Sequence, residues 1–279
     1  MTERSYLGAS RLGFHRVAYT QWGDAHNRRV VVCVHGLTRN GRDFDALARD
    51  LAEDHRVLCP DVVGRGRSDW LTDPSLYDIP QYLSDMTVLI ARSGAEQVDW
   101  VGTSMGGLIG FVLASMPGSP MVLNDVGPFV SKSALASILT YLGKAPRFAD
   151  MERAVSYFRE IHAQFGPLTD AQWRHIAETS VRRTDDGSFV VRYDPGIAFP
   201  FQALASADVD LWKVWDAVTC PVLVLRGATS ALLSADTAAG MKARHPDCRV
   251  VEYADCGHAP SLMRPEHIRE VRDFLSLAG

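Results

Sequence analysis

Short apolar runs rich in β-branched residues alternate along this chain with stretches of helical period, and that rhythm restricts the fold more than any other feature. Val30-Val31-Val32-Cys33-Val34 is apolar at five consecutive positions and stops at His35-Gly36. Such a run reads as a strand buried on both faces. Phe44, Leu47, Ala48 and Leu51 then fall on one helical face. Arg56-Val57-Leu58-Cys59 is the next strand, and Ile79, Leu83, Met86 and Ile90 mark a second helix. Val98 to Val101 is a third strand, Gly106 to Ser115 an apolar helix, and Met121-Val122-Leu123 a fourth strand. The rhythm returns late in the chain. Pro221 to Leu225 and Arg249 to Tyr253 read as strands, Asp236 to Arg244 as a helix, and Ile268, Val271, Phe274 and Leu275 as the face of a closing helix. Strands that alternate with helices predict a parallel sheet covered on both sides. Tyr6 to Gln21 offers two antiparallel edge strands.

Residues 129–215 break the pattern with helical segments and no strand alternation. They hold 13 of the 25 Phe, Trp and Tyr in under a third of the 279 residues. The expected organisation is a core of residues 1–128 and 216–279 and a helical cap of residues 129–215. The cap aromatics pack a subdomain of their own and offer an apolar pocket wall, with Phe129, Trp173 and Trp212 as candidates for substrate contact. A net charge of −4 gives no electrostatic reason to expect nucleic acid. Met1 to His15 contain no apolar segment of a secretory signal, and no apolar run approaches bilayer length, so a cytoplasmic protein without membrane contact is expected. The five cysteines, with no CxxC pair, read as reduced structural thiols.

Gly102-Thr103-Ser104-Met105-Gly106 fits G-x-S-x-G between a predicted strand and a predicted helix. A sharp strand-to-helix turn leaves little room for flanking side chains, lifts the serine oxygen above the sheet edge, and aims the Met105 N–H at an oxyanion beside it. His35-Gly36-Leu37 ends the first parallel strand, where the Leu37 N–H is the second oxyanion donor. Cys256-Gly257-His258-Ala259-Pro260 lies between the last strand and the last helix. There His258 can reach the serine as a base. The remaining histidines, His162 among them, read as surface or packing residues, and His35 as a residue that orders the oxyanion loop.

This order of strand, His-Gly, nucleophile elbow, insertion and late Gly-His resembles the α/β-hydrolase superfamily, in its serine-nucleophile, capped esterase/lactonase-like branch. Asp61-Val62-Val63-Gly64-Arg65-Gly66-Arg67-Ser68-Asp69 is similar to that family's Gly-x-Gly-x-Ser loop. The resemblance implies an α/β fold with an eight-stranded, mostly parallel sheet, and a Ser–acid–His triad. It places the acid in the loop after Val222 to Leu225, where this chain has Ala231, 27 residues before His258. Three readings follow, taken in this order: a truncated triad, an acid moved to Asp125, and Asp236 reaching back.

A serine at the elbow points to acyl transfer rather than to the alkyl-ester chemistry of an aspartate nucleophile. The expected function is a serine hydrolase cleaving a carboxylic ester, lactone or thioester of a small to medium apolar substrate through an acyl-enzyme, with activity reduced if the acid is missing. The alternatives are a ligand-binding or signalling protein on the same scaffold and a carbon–carbon bond hydrolase. No metal or cofactor signature is present.

Overall fold

The computed structural model describes residues 1–114 and 120–278. Ser115, the predicted end of the apolar helix, and Gly279 lie outside the described residues. The first half of the main sheet comprises β1 (Thr2–Ser10), β2 (Gly13–Trp22), β3 (Val30–Val34), β4 (Arg56–Pro60), β5 (Val98–Thr103) and β6 (Met121–Asn124). Between these run α1 (Asp45–Leu51), α2 (Ile79–Ser93) and α3 (Met105–Ala114). The antiparallel hairpin expected from Tyr6 to Gln21 is β1 and β2, paired from Thr2↔Gln21 to Ser10↔Gly13.

The segment between β6 and β12 contains β7 (Phe129–Val130), α4 (Lys132–Ile138), β8 (Arg147–Phe148), α5 (Met151–Ile161), α6 (Asp170–Ser180), β9 (Val181–Arg183), β10 (Phe189–Val191), α7 (Ala198–Leu204), β11 (Val209–Asp210) and α8 (Trp212–Trp215). It is not purely helical. β8, β10 and β9 form a small antiparallel sheet, and β11 pairs with β7. These strands have only two or three residues, too short to show a period of two. The chain then returns to the main sheet as β12 (Val222–Gly227), α9 (Ala235–Arg244), β13 (Cys248–Tyr253) and α10 (Pro265–Ala278).

The main sheet has eight strands in the order β1-β2-β4-β3-β5-β6-β12-β13. From β4 to β13 every pairing is parallel. All those strands therefore deliver their C-terminal ends to one edge. The order reverses at β3, flanked by β4 and β5, and this switch point opens a crevice at that edge. The period-two alternation of β3 divides the core. Val30, Val32 and Val34 pack with Trp100, Ile109 and Leu123 on one face, and Val31 and Cys33 with Leu47, Val101, Leu223 and Val271 on the other. All five cysteines are buried and unpaired. Among the described residues no helix is long and apolar enough to cross a membrane.

Candidate active site

Ser104 stands between β5 and α3 with φ of +52°, a region that a non-glycine residue occupies at a cost in strain. The neighbouring glycines are there because of close approach. A Cβ on Gly102 would meet the Gly106 backbone at 2.4 Å, and one on Gly106 would meet the Val34 carbonyl oxygen at 1.9 Å. The first turn of α3 thus packs directly on β3 and β5, which leaves the serine at the apex. Its amide donates to the Asn124 carbonyl at 3.0 Å. Asn124 also donates through Nδ2 to Thr103 Oγ1 and to the Pro260 carbonyl, at 3.0 and 2.8 Å. One side chain on β6 thereby joins the serine strand to the loop after β13.

That loop carries His258. Its Nε2 is 3.0 Å from Ser104 Oγ, and its Nδ1 is 2.7 Å from Asp125 Oδ2. Asp125 follows β6, is fully buried, and has φ of +56°. Its Oδ1 accepts the Gly227 amide at 2.9 Å, and its Oδ2 also accepts the Ser230 hydroxyl at 2.5 Å. A carboxylate only accepts, so the imidazole proton sits on Nδ1 and Nε2 is left to accept from the serine hydroxyl.

The expectation that put a truncated triad first is overturned by this contact: a carboxylate does touch the far nitrogen of His258. Strands β6 and β12 are neighbours, with Asn124 opposite Leu225. An acid one strand over therefore reaches the same imidazole. Ala231 lines the cleft without such a role, and Asp236 lies in the first turn of α9, where Ser234 is the N-cap.

The amides of Leu37 and Met105 have no intramolecular acceptor among the described residues. The Leu37 peptide is held from behind, because the buried Arg65 donates through Nε to the Leu37 carbonyl at 2.8 Å. The Gly64-Arg65-Gly66 turn thus supports the loop after β3. His35 fixes the same loop. Its Nε2 accepts the Val62 amide at 2.9 Å and its Nδ1 donates to the Gly36 carbonyl at 2.7 Å. Burial pushes its pKa down to about 3, so it stays neutral as both bonds require.

A cleft of about 140 Å³ opens beside Ser104 and His258. Its apolar walls include Leu37, Ile138, Tyr141, Phe165, Ala231 and Leu232, and its polar lining includes Thr38, Arg39, Ser137, His162 and Gln164. The three aromatics singled out from sequence stand elsewhere. Phe129 pairs with Asp210, Trp173 is buried in a stack with Phe165 at 6.5 Å between ring centres, and Trp212 lies against the Arg244 guanidinium. His162, read as a packing or surface residue, is part of the cleft wall. The sequence reading also missed Ser230 and Gln164. The Gln164 carbonyl accepts the Gly257 amide at 2.7 Å and its Oε1 accepts the His258 amide at 3.2 Å. The histidine loop is therefore pinned by the inserted segment. Gln164 belongs to no local motif, and Ser230, although it precedes Ala231 in the loop where the resemblance places the acid, gives no sign in the sequence of which carboxylate it serves.

Similarity to known proteins agrees with this geometry. A 3-hydroxybutyrate-oligomer hydrolase of Cupriavidus necator is 48% identical over 278 residues, covering 96% of this chain and 95% of that protein. Esterase Rv0045c of Mycobacterium tuberculosis is 28% identical over 270 residues, covering 91% of this chain and 84% of its own. The crystal structure of an alpha/beta hydrolase from Novosphingobium aromaticivorans superposes with a TM-score of 0.88 at 40% identity, over 99% of this chain and 98% of the other. The model of the alpha/beta hydrolase family matches residues 31–273. The eight-stranded sheet, the elbow at its edge and this match together establish that the chain belongs to the alpha/beta hydrolase family.

Proposed function

We propose that this carboxylic ester hydrolase cleaves short esters of 3-hydroxy acids, 3-hydroxybutyrate oligomers in particular, through an acyl-enzyme on Ser104. The observation that carries the reading is the unbroken chain from Asp125 through His258 to Ser104 at the floor of a cleft. His258 Nε2 takes the Ser104 proton as Oγ bonds to the ester carbonyl carbon. The Leu37 and Met105 amides, which have no other acceptor among the described residues, stabilise the oxyanion. Asp125 holds the imidazole in the right tautomer and stabilises the imidazolium. The imidazolium then protonates the departing alkoxide oxygen as the carbon–oxygen bond breaks. Water, deprotonated by His258, then adds to the acyl carbon, and as the acyl carbon–Oγ bond breaks the imidazolium returns that proton to Ser104 Oγ and the acid leaves.

The substrate class is supported by the 48% identity, along nearly the whole of both chains, to a 3-hydroxybutyrate-oligomer hydrolase. Residues 129–215 act as the cap, because α4, Tyr141 and the segment from Ile161 to Phe165 line one side of that cleft. The ligand-binding alternative loses its motive now that His258 has a carboxylate.

The test is chromatographic release of 3-hydroxybutyrate from its dimer and trimer. Turnover is expected with the wild-type protein and a loss of about 10⁵-fold or more in Ser104→Ala. If p-nitrophenyl butyrate is hydrolysed and the oligomers are not, the substrate class is wrong and the ester chemistry stands.

A further inference from the structure

Among the described residues, two residues that line the cleft each hold a buried polar atom without a hydrogen-bond partner. Arg39, only 5% exposed, gives Nε and Nη2 to the Asp43 carboxylate at 2.9 and 2.6 Å. Its Nη1 has no acceptor. His162, 7% exposed, has an Nε2 without a partner. Both residues line the cleft together with Ser104 and His258. Gly36 adjoins both the nucleophile and the arginine stem. A Cβ placed on Gly36 would stand 3.6 Å from Ser104 Cβ and 3.8 Å from Arg39 Cγ. The His162 ring is stacked on Phe165 at 4.6 Å, and the Arg39 guanidinium lies 5.6 Å from the Phe158 ring centre. Both groups are therefore held against aromatic faces. Burial, and after it the charges of Arg39 and His258, lower the His162 pKa well below its usual value. A neutral imidazole beside the arginine adds a polar contact without a second fixed charge.

A buried guanidinium donor left unmatched is unfavourable, and each such group in a folded protein calls for an explanation. Asp43 occupies one edge of the fork. The remaining nitrogen suits a carboxylate, which guanidinium binds through charge-assisted hydrogen bonds. The proposed substrate carries one. In a 3-hydroxy acid ester, a single methylene separates the terminal carboxylate from the carbon that bears the ester oxygen. An anion seat close to the nucleophile is then what cleavage at the last ester bond requires.

We propose that Arg39, with His162 beside it, binds the free carboxylate at the acid end of the oligomer, so that the enzyme removes hydroxy acid units one at a time from that end. The proposal rests on the reading of the reaction given above. It makes Arg39 a specificity-determining residue, because recognition of the anion selects the bond to be cut.

The experiment compares the 3-hydroxybutyrate trimer as free acid with its methyl ester, using material isotopically labelled in the acid-end unit. For the wild-type protein the free acid is expected to have a kcat/KM at least ~10-fold higher, mainly through KM, as a charge-assisted contact provides. The label is expected in the first monomer released. Arg39→Gln brings the ratio of free acid to methyl ester down toward one, and Arg39→Lys restores part of it. Equal hydrolysis of the two trimers by the wild-type protein, or label appearing first in the dimer, overturns the proposal while leaving the ester chemistry intact. Turnover of neither trimer overturns the reading of the reaction itself. The wild-type comparison decides even if the Arg39 variants do not fold.

Discussion

The Ser230 hydroxyl accepts the amides of Leu232 and Leu233, both at 3.1 Å, which leaves its proton for Asp125 Oδ2. The loop where the family resemblance placed the acid therefore contributes a donor to a carboxylate from the next strand. This fixes the outcome of three substitutions. Asp125→Asn is expected to lower kcat by about 10⁴-fold, because an amide presents the wrong hydrogen-bonding group to His258. Ala231→Asp is expected to leave kcat unchanged or lower it, because the imidazole already has its carboxylate. Steady-state kinetics on p-nitrophenyl butyrate measures both, and a rise of two orders of magnitude in Ala231→Asp would restore the truncated reading. Ser230→Ala leaves Asp125 only the Gly227 amide and His258. It is expected to lower kcat by about tenfold and stability by about 1–3 kcal/mol, the range for a buried acceptor that loses a donor. Thermal denaturation and the same assay measure the pair. Ser104 and His258 stood out in the sequence because each sits in a local turn whose glycines report a tight backbone. Asp125 was a candidate among others, since only the register of β6 against β12 decides which loop faces the imidazole.

The elbow is where element packing and chemistry meet. α3 approaches β3 so closely that the Val34 carbonyl oxygen occupies the space of a Gly106 side chain. Gly106→Ala must push the helix from the sheet and carry Ser104 with it. A loss of ~3 kcal/mol is expected, about 5 °C in Tm for a chain of this length, with esterase activity falling further than stability. Gly94 is a useful contrast. It caps α2 at φ +67°, and a Cβ added there would meet no atom within 4 Å. Gly94→Ala is expected to lose only ~1 kcal/mol and to keep full activity. Differential scanning calorimetry separates the two, and equal losses would refute the packing argument. The strands β3, β4 and β6 were legible because burial on both faces makes them nearly continuous apolar runs, and β5, interrupted by Asp99, because it leads directly into the glycine-flanked serine turn. The small strands of the inserted segment were not. Val209 pairs with Val130 and Phe189 with Phe148 across long loops, so tertiary partners rather than local sequence make them strands.

For the whole molecule, buried neutral histidines tie stability to pH. His35 has a pKa of about 3 in the fold through burial, against 6.5 for an exposed imidazole. His267, lowered to about 4, and His162, lowered well below the usual value, shift in the same direction for the same leading cause. Below pH 6.5 the unfolded chain binds protons that the folded chain refuses, so the unfolded state gains. The stability contributed by neutral His35 is therefore complete above about pH 6.5 and is lost as pH falls toward 3, at roughly 1.4 kcal/mol per pH unit. Asp61 and Asp85, whose carboxyls burial pushes upward, offset part of this. A variant is thus a better readout than the raw curve. His35→Gln keeps an acceptor for the Val62 amide and a donor for the Gly36 carbonyl but cannot titrate. Its urea-unfolding free energy is expected to fall less steeply between pH 6.5 and 4.5 than that of the wild-type protein, by roughly 1.4 kcal/mol per pH unit. Parallel slopes would mean that His35 does not link the loops after β3 and β4 through its neutral form.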